Sequence, residues 1–172
     1  GGGAYVGVSS GNATAVAAQW DHLAGTWDGT TMRIYHNGVE KASASKSTAT
    51  GTGTPAHMIG NSEFDTTRAW DGKIAEFAVW NRGLDAGEVV GLSKGFCPLF
   101  CLRGILLYYP LFGNESPEDD PVSAIAGTLT GTVKADHPRI IYPAPPFVHG
   151  KPVVAAVDDM PLSHRLSIAV PI

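Results

Sequence analysis

Trp20-Asp21-His22-Leu23-Ala24-Gly25-Thr26-Trp27-Asp28-Gly29, followed by Met32-Arg33-Ile34-Tyr35-His36-Asn37-Gly38, decides the fold class. From Trp20 to Trp27 an extended chain puts Trp20, His22, Ala24 and Thr26 on one face and Leu23, Gly25 and Trp27 on the other. Asp28-Gly29 marks a turn. Met32 to His36 reads as the next strand, and Asn37-Gly38 is the strongest short-range hairpin signal. Both central residues of a type I′ turn need positive φ, which Asn and Gly tolerate best. Val39 onward returns as the partner strand.

The flanks continue in the same style. Tyr5 to Val8 is a short apolar stretch. Residues 42–54 are almost wholly Ala, Ser, Thr, Lys and Gly, which predicts a surface loop or a polar edge strand. Met58-Ile59-Gly60 resumes the sheet, and Asn61 to Gly72 forms a polar loop. Lys73 to Trp80 reads as a further strand. Ile74 and Phe77 break its period of two, and a bulge near Ala75-Glu76 would turn both inward. One helix follows, with Asp85 as N-cap, Glu88 completing a capping box and Gly95 placed to stop it. Gly104 to Leu111 and Gly127 to Val133 read as strands on either side of an acidic turn region at 114–121. From Pro138 onward, prolines punctuate apolar islands at 139–142, 153–157 and 166–170. Such a segment suits an extended, peripheral arm lying on a surface, its own or a neighbour's.

Composition narrows the function classes. The 172 residues are 44% hydrophobic and 16% charged with 21 Gly, which suits a turn-rich globular protein. No run approaches the ~20 apolar residues that cross a bilayer. With a formal charge of −4 and basic residues scattered singly, nucleic-acid binding is not expected. The opening Gly1-Gly2-Gly3-Ala4-Tyr5 lacks an initiator Met and any signal-like region, and is expected to continue a longer chain. Cys97 and Cys101 fit no zinc spacing. Free, buried or half-buried thiols and a short-loop disulfide both remain open.

The Trp20–Gly38 block closely resembles the laminin-G-like branch of the concanavalin-A-like lectin/glucanase superfamily. The resemblance continues through Ile59-Gly60-Asn61, Trp70-Asp71-Gly72-Lys73-Ile74-Ala75-Glu76-Phe77-Ala78-Val79-Trp80-Asn81-Arg82-Gly83-Leu84 and the capped helix. It covers roughly residues 5–93 and looks like the second half of such a domain. It implies an all-β, antiparallel jelly-roll β-sandwich with one short helix and an extended Pro-rich C-terminal arm. The organisation expected is a sandwich portion at 1–95, additional strands at 96–137 and the arm at 138–172. The strands the resemblance leaves missing would come from an upstream segment, from another chain or from residues after 95. Ala135 to Pro143 is also similar to the C-terminal ends of phage, prophage and metagenomic proteins carrying this kind of domain.

These features point to a non-catalytic structural or adhesive module of a virion or extracellular assembly, such as a phage-like decoration, fibre or tail component. Ile140, Ile141, Tyr142, Val153, Val154, Leu166 and Ile168 would dock on neighbouring subunits in a homo-oligomer or particle. The alternative is a carbohydrate-binding, lectin-like module, with glycans as partner and calcium as the candidate ion. Trp70, Asn61, Glu63, Asp65 and Arg68 would form its sugar site. Glu63, Asp65 and Asp71 are oxygen donors of the kind calcium takes, although the same residues also suit a solvated turn. Trp27 and Trp80 could stack on sugar rings or simply pack. Trp20 and His22 match the family signature, so both are assigned to structure, His22 as a hydrogen-bonded residue. No pair of carboxylates is spaced for glycoside hydrolysis, and Glu76 stands alone. An enzyme is not expected.

Overall fold

The computed structural model describes residues 7–9, 18–47, 58–61, 69–113 and 116–143. Strands β1 (Leu23–Trp27), β2 (Thr31–His36) and β3 (Val39–Ser45) form an antiparallel sheet in the order β1-β2-β3. The two-residue hairpin at Asn37-Gly38 sets its register. Asn37 has φ 51° and Gly38 φ 81°, and His36 pairs with Val39 across the turn. Trp27 pairs with Met32 and Gly25 with Ile34, so one face carries Trp27, Met32, Ile34 and Leu23. The polar 42–45 stretch is an edge strand, where small hydroxylated side chains cost little.

A second antiparallel sheet joins β4 (Phe77–Trp80) to β5 (Ile105–Tyr109). Between them lies α1 (Ala86–Ser93), which starts with both halves of its capping box formed. Asp85 Oδ1 accepts from the Glu88 amide at 2.8 Å, and a Glu88 oxygen accepts from the Asp85 amide at 2.9 Å. A short 3-10 turn at Pro98–Phe100 then leads toward β5. Residues after 95 thus supply a strand of the second sheet.

Three expectations change. Residues 73–76 are not strand, and the register shift of β4 falls between Val79 and Trp80 rather than at Ala75-Glu76. Glu76 instead takes a left-handed conformation with φ 57°, outside the strand region, and Ile74 is exposed. Residues 127–133 form no strand, and Gly127 makes a single bridge to Glu118. Met58 to Gly60 likewise stays outside the sheets, as do the described residues 7–9; Tyr5 and Val6 lie outside the described residues.

Among the described residues, the buried apolar core consists of Tyr35, Val89, Cys97, Tyr108 and Tyr109. Tyr35 belongs to the first sheet, and the others surround the second. The hairpin end of the first sheet meets α1. A Cβ on Gly38 would lie 2.5 Å from Ser93 Oγ and 3.4 Å from the Val90 Cα, so the hairpin tip presses on α1. Two open clefts of about 770 and 740 Å³ lie between the first sheet and the Asn81-Arg82 turn.

Candidate functional site

The loop expected to bind sugar is described in part. Trp70 is tied to the loop entrance by its amide, which donates to the Gly60 carbonyl at 2.7 Å. This brings Trp70 beside Asn61, which is exposed, as is Asp71. The N–H corner of the Trp70 indole abuts Gly72, whose missing Cβ would meet Nε1 at 2.8 Å, and the side chain remains 54% exposed. Ile74 lies near it at Gly60, whose missing Cβ would meet Ile74 Cδ1 at 3.0 Å and Trp70 Cβ at 3.9 Å. Glu63, Asp65 and Arg68 lie outside the described residues. Among the described residues, no group of three or more His, Cys, Asp or Glu side chains is placed to hold a metal ion.

One of the two clefts holds a second polar and aromatic group. Trp27, Asp28, Arg33, Tyr35, Glu40 and Arg82 all line it. Asp28 accepts from Arg33 at 2.6 Å and from the Thr30 and Thr31 amides at 2.9 and 2.8 Å. The Arg33 guanidinium, followed by these bonds, holds the Asp28 carboxyl well below the usual range. Trp27 Nε1 donates to the Lys46 carbonyl at 2.8 Å, which fixes the indole edge. Trp80 Nε1 donates to the Cys101 carbonyl at 2.8 Å, so both rings are anchored by their polar corners.

The signature residues divide. His22 bonds through its backbone, accepting from the Asn37 amide and donating to Asn37 Oδ1, both at 2.8 Å. Its ring Nδ1 is buried without a hydrogen-bond partner, and desolvation lowers its pKa. Hydrogen bonding therefore runs through the main chain, not the imidazole. Trp20, expected to pack, is exposed. The thiols are free, with Cys97 buried and Cys101 partly so.

The densest polar cluster gathers around Glu76, a residue the sequence shows as isolated. Its side chain is only 11% exposed. Tyr108 of β5 donates to Oε2 at 2.7 Å, and Tyr142 donates to Oε1 at 2.9 Å. His137 Nε2 lies 3.2 Å from Oε1 and 3.0 Å from the Pro110 carbonyl. Behind Tyr108, the Cys97 thiol donates to the phenol oxygen at 3.4 Å. Burial raises the Glu76 pKa, opposed by the tyrosines and the imidazole. The phenols of Tyr108 and Tyr142 are themselves pushed far up, chiefly by burial. A left-handed φ at a non-glycine residue costs about 1 kcal/mol, so these bonds hold a strained backbone in place. The partners lie 32, 61 and 66 residues away in sequence, beyond the reach of any local motif. The only local signal was a carboxylate set between Ala75 and Phe77.

Tyr142 and its neighbours were expected to form an assembly arm. Ile141 pairs in parallel with Phe96 of the same chain. Its amide donates to the Gly95 carbonyl at 2.8 Å, and its carbonyl accepts from the Cys97 amide at 3.0 Å. Ile140 is half-buried, and Ile141 and Tyr142 keep exposed surface. Val153, Val154, Leu166 and Ile168 lie outside the described residues.

A family model described as the concanavalin A-like lectin/glucanases superfamily matches residues 1–90. No curated protein matches the chain. Among solved structures, an S-layer domain-containing protein from Clostridium thermocellum is 25% identical over 48% of this chain, with a TM-score of 0.34. The match spans 42% of that protein's solved chain.

Proposed function

The chain belongs to the concanavalin A-like lectin/glucanases superfamily, and from that premise we propose that it is a non-catalytic structural and adhesive module of an extracellular assembly. Membership fits an extracellular structural or binding module. The finer reading is a subunit-docking component, of the kind found in a phage decoration, fibre or tail. The observation that carries it is exposed apolar surface on the strands of the described residues. There the two sheets hold three and two strands, and Leu23 and Leu106 on those strands are 57% and 49% exposed. Apolar side chains on short sheets favour burial against a partner. Native mass and shape, read by light scattering and negative-stain microscopy, test this reading. A regular homo-oligomer or particle is expected, and a compact monomer at all concentrations would overturn it.

A second reading, glycan binding with calcium as the candidate ion, is favoured by one observation. An exposed indole whose N–H corner abuts a glycine offers an aromatic face to the C–H face of a sugar. Trp70→Ala should lower binding on a glycan panel by at least about tenfold while leaving the melting temperature unchanged. Binding that survives this substitution would remove the platform from the argument, and a chelator would separate a calcium-dependent site from a calcium-free one. Hydrolysis gains no support from Glu76, whose oxygens are engaged by tyrosine and histidine rather than facing a second carboxylate.

A further inference from the structure

A strand edge with unpaired N–H and C=O groups is a template for another strand, and folds defend such edges with charge, bulges, brevity or cover. Among the described residues, three of the four sheet edges are defended in these ways. β3 carries Glu40 and Lys41, and its ladder passes over Lys41 at the register shift. β4 has four residues and its own shift between Val79 and Trp80. On β5 the outward amide of Tyr108 is taken by Asp120 Oδ1 at 3.2 Å. β1 has none of these devices. Leu23-Ala24-Gly25-Thr26-Trp27 holds no charge and no proline, and it pairs with β2 without a shift.

The direction of its main-chain groups is fixed from both ends. The Asn37 amide donates to the His22 carbonyl at 2.8 Å, and the Asp28 amide donates to the Thr31 carbonyl at 3.3 Å. His22, Ala24, Thr26 and Asp28 therefore turn toward β2, and Leu23, Gly25 and Trp27 turn away from it. Trp27 is the closed end, because a Cβ on Gly83 would lie 3.1 Å from its carbonyl oxygen. The open stretch runs from Leu23 to Gly25. There the Leu23 side chain is 57% exposed, and a Cβ on Gly25 would meet nothing within 4 Å.

This stretch is complementary to itself. Run antiparallel about a two-fold axis at Ala24, Leu23 faces Gly25 of a second copy and Gly25 faces its Leu23. Both are outward positions, so each pair can exchange N–H···O bonds in both directions. The large side chain always meets the residue that has none, and glycine lets the other backbone come close.

We propose that β1 is the docking edge for β1 of a second copy of this chain, in an antiparallel two-fold pairing centred on Ala24 that joins the two three-stranded sheets into one. This rests on the assembly reading and names the partner and the register of its contact.

Two measurements on the full chain separate the pairing from the assembly. Light scattering reads association. Ala24→Cys reads register, because residues opposite each other in a non-hydrogen-bonded pair have Cα atoms about 4.5 Å apart, within disulfide reach. Under oxidised glutathione it should yield a covalent dimer whose peptides are joined at position 24. The wild type, with its free Cys97 and Cys101, and Ser43→Cys on β3 should give no such dimer. Gly25→Pro removes an N–H that β2 does not use, a placement proline tolerates on an edge. It should raise the concentration for half-association at least about tenfold, with unchanged far-ultraviolet circular dichroism. A single-chain mass at every concentration overturns the assembly reading and this pairing with it. An assembly that forms no bridge at position 24 overturns the β1 pairing alone, as does one indifferent to Gly25→Pro. Should Gly25→Pro fail to fold, the bridge by itself decides.

Discussion

Glu76 and Glu88 show how placement divides one residue type. Burial raises the pKa of Glu76, whereas the Arg82 guanidinium, gripping both oxygens at 2.6 and 2.5 Å, lowers that of Glu88. The signs for stability are opposite. A depressed carboxyl pKa contributes stability above its unfolded value and loses it as pH falls through the folded one. The Glu88 pair is partly exposed, so solvent screening keeps its contribution small. Glu88→Gln keeps an acceptor for the Asp85 amide but removes the charge. Its melting temperature should drop by about 2 °C near neutrality. The gap to wild type should close in acid, where both proteins carry a neutral side chain. A gap that persists unchanged in acid would assign the loss to the capping geometry rather than to charge.

At the scale of elements, what the sequence revealed was local. The Asn37-Gly38 hairpin and the Asp85–Glu88 cap are each written within a few residues, and each forms with its expected partners. The pairing of β4 with β5 crosses the intervening helix, and no periodicity encodes such a partner. Residues 127–133 alternate like a strand yet find no ladder, since alternation describes two faces and not a neighbour. Trp70 was visible as an aromatic in a polar loop, while the Glu76 cluster was hidden by its dependence on His137 and Tyr142. The hairpin also joins the first sheet to α1, which gives a direct test of coupling. Gly38→Ala meets both the positive φ and the Ser93 side chain, and should cost about 2 kcal/mol. Pairing it with Ser93→Gly removes the steric part alone. The double-mutant cycle in urea should therefore return a coupling of about 1 kcal/mol. Strict additivity would mean that the hairpin tip and helix do not press on each other.

At the scale of the whole molecule, the two sheets form an all-β framework that still presents large apolar side chains on its strands. Leu23 on β1 and Leu106 on β5 belong to different sheets, so a partner covering either would extend the framework at a different place. Backbone geometry argues for the β1 side. His22 and Asn37 bond across the hairpin, and alternation in an antiparallel ladder then turns the amides of Leu23 and Gly25 away from β2. A partner strand could meet both those amides and the Leu23 side chain, whereas Leu106 offers a side chain beside the register shift of β4 and β5. Leu23→Lys should therefore shift the light-scattering mass from oligomer to monomer at micromolar concentration, with far-ultraviolet circular dichroism unchanged. Leu106→Lys should weaken association less. An oligomer indifferent to Leu23→Lys but lost with Leu106→Lys would move the docking edge to the second sheet. Indifference to both would mean that neither exposed strand leucine carries the assembly.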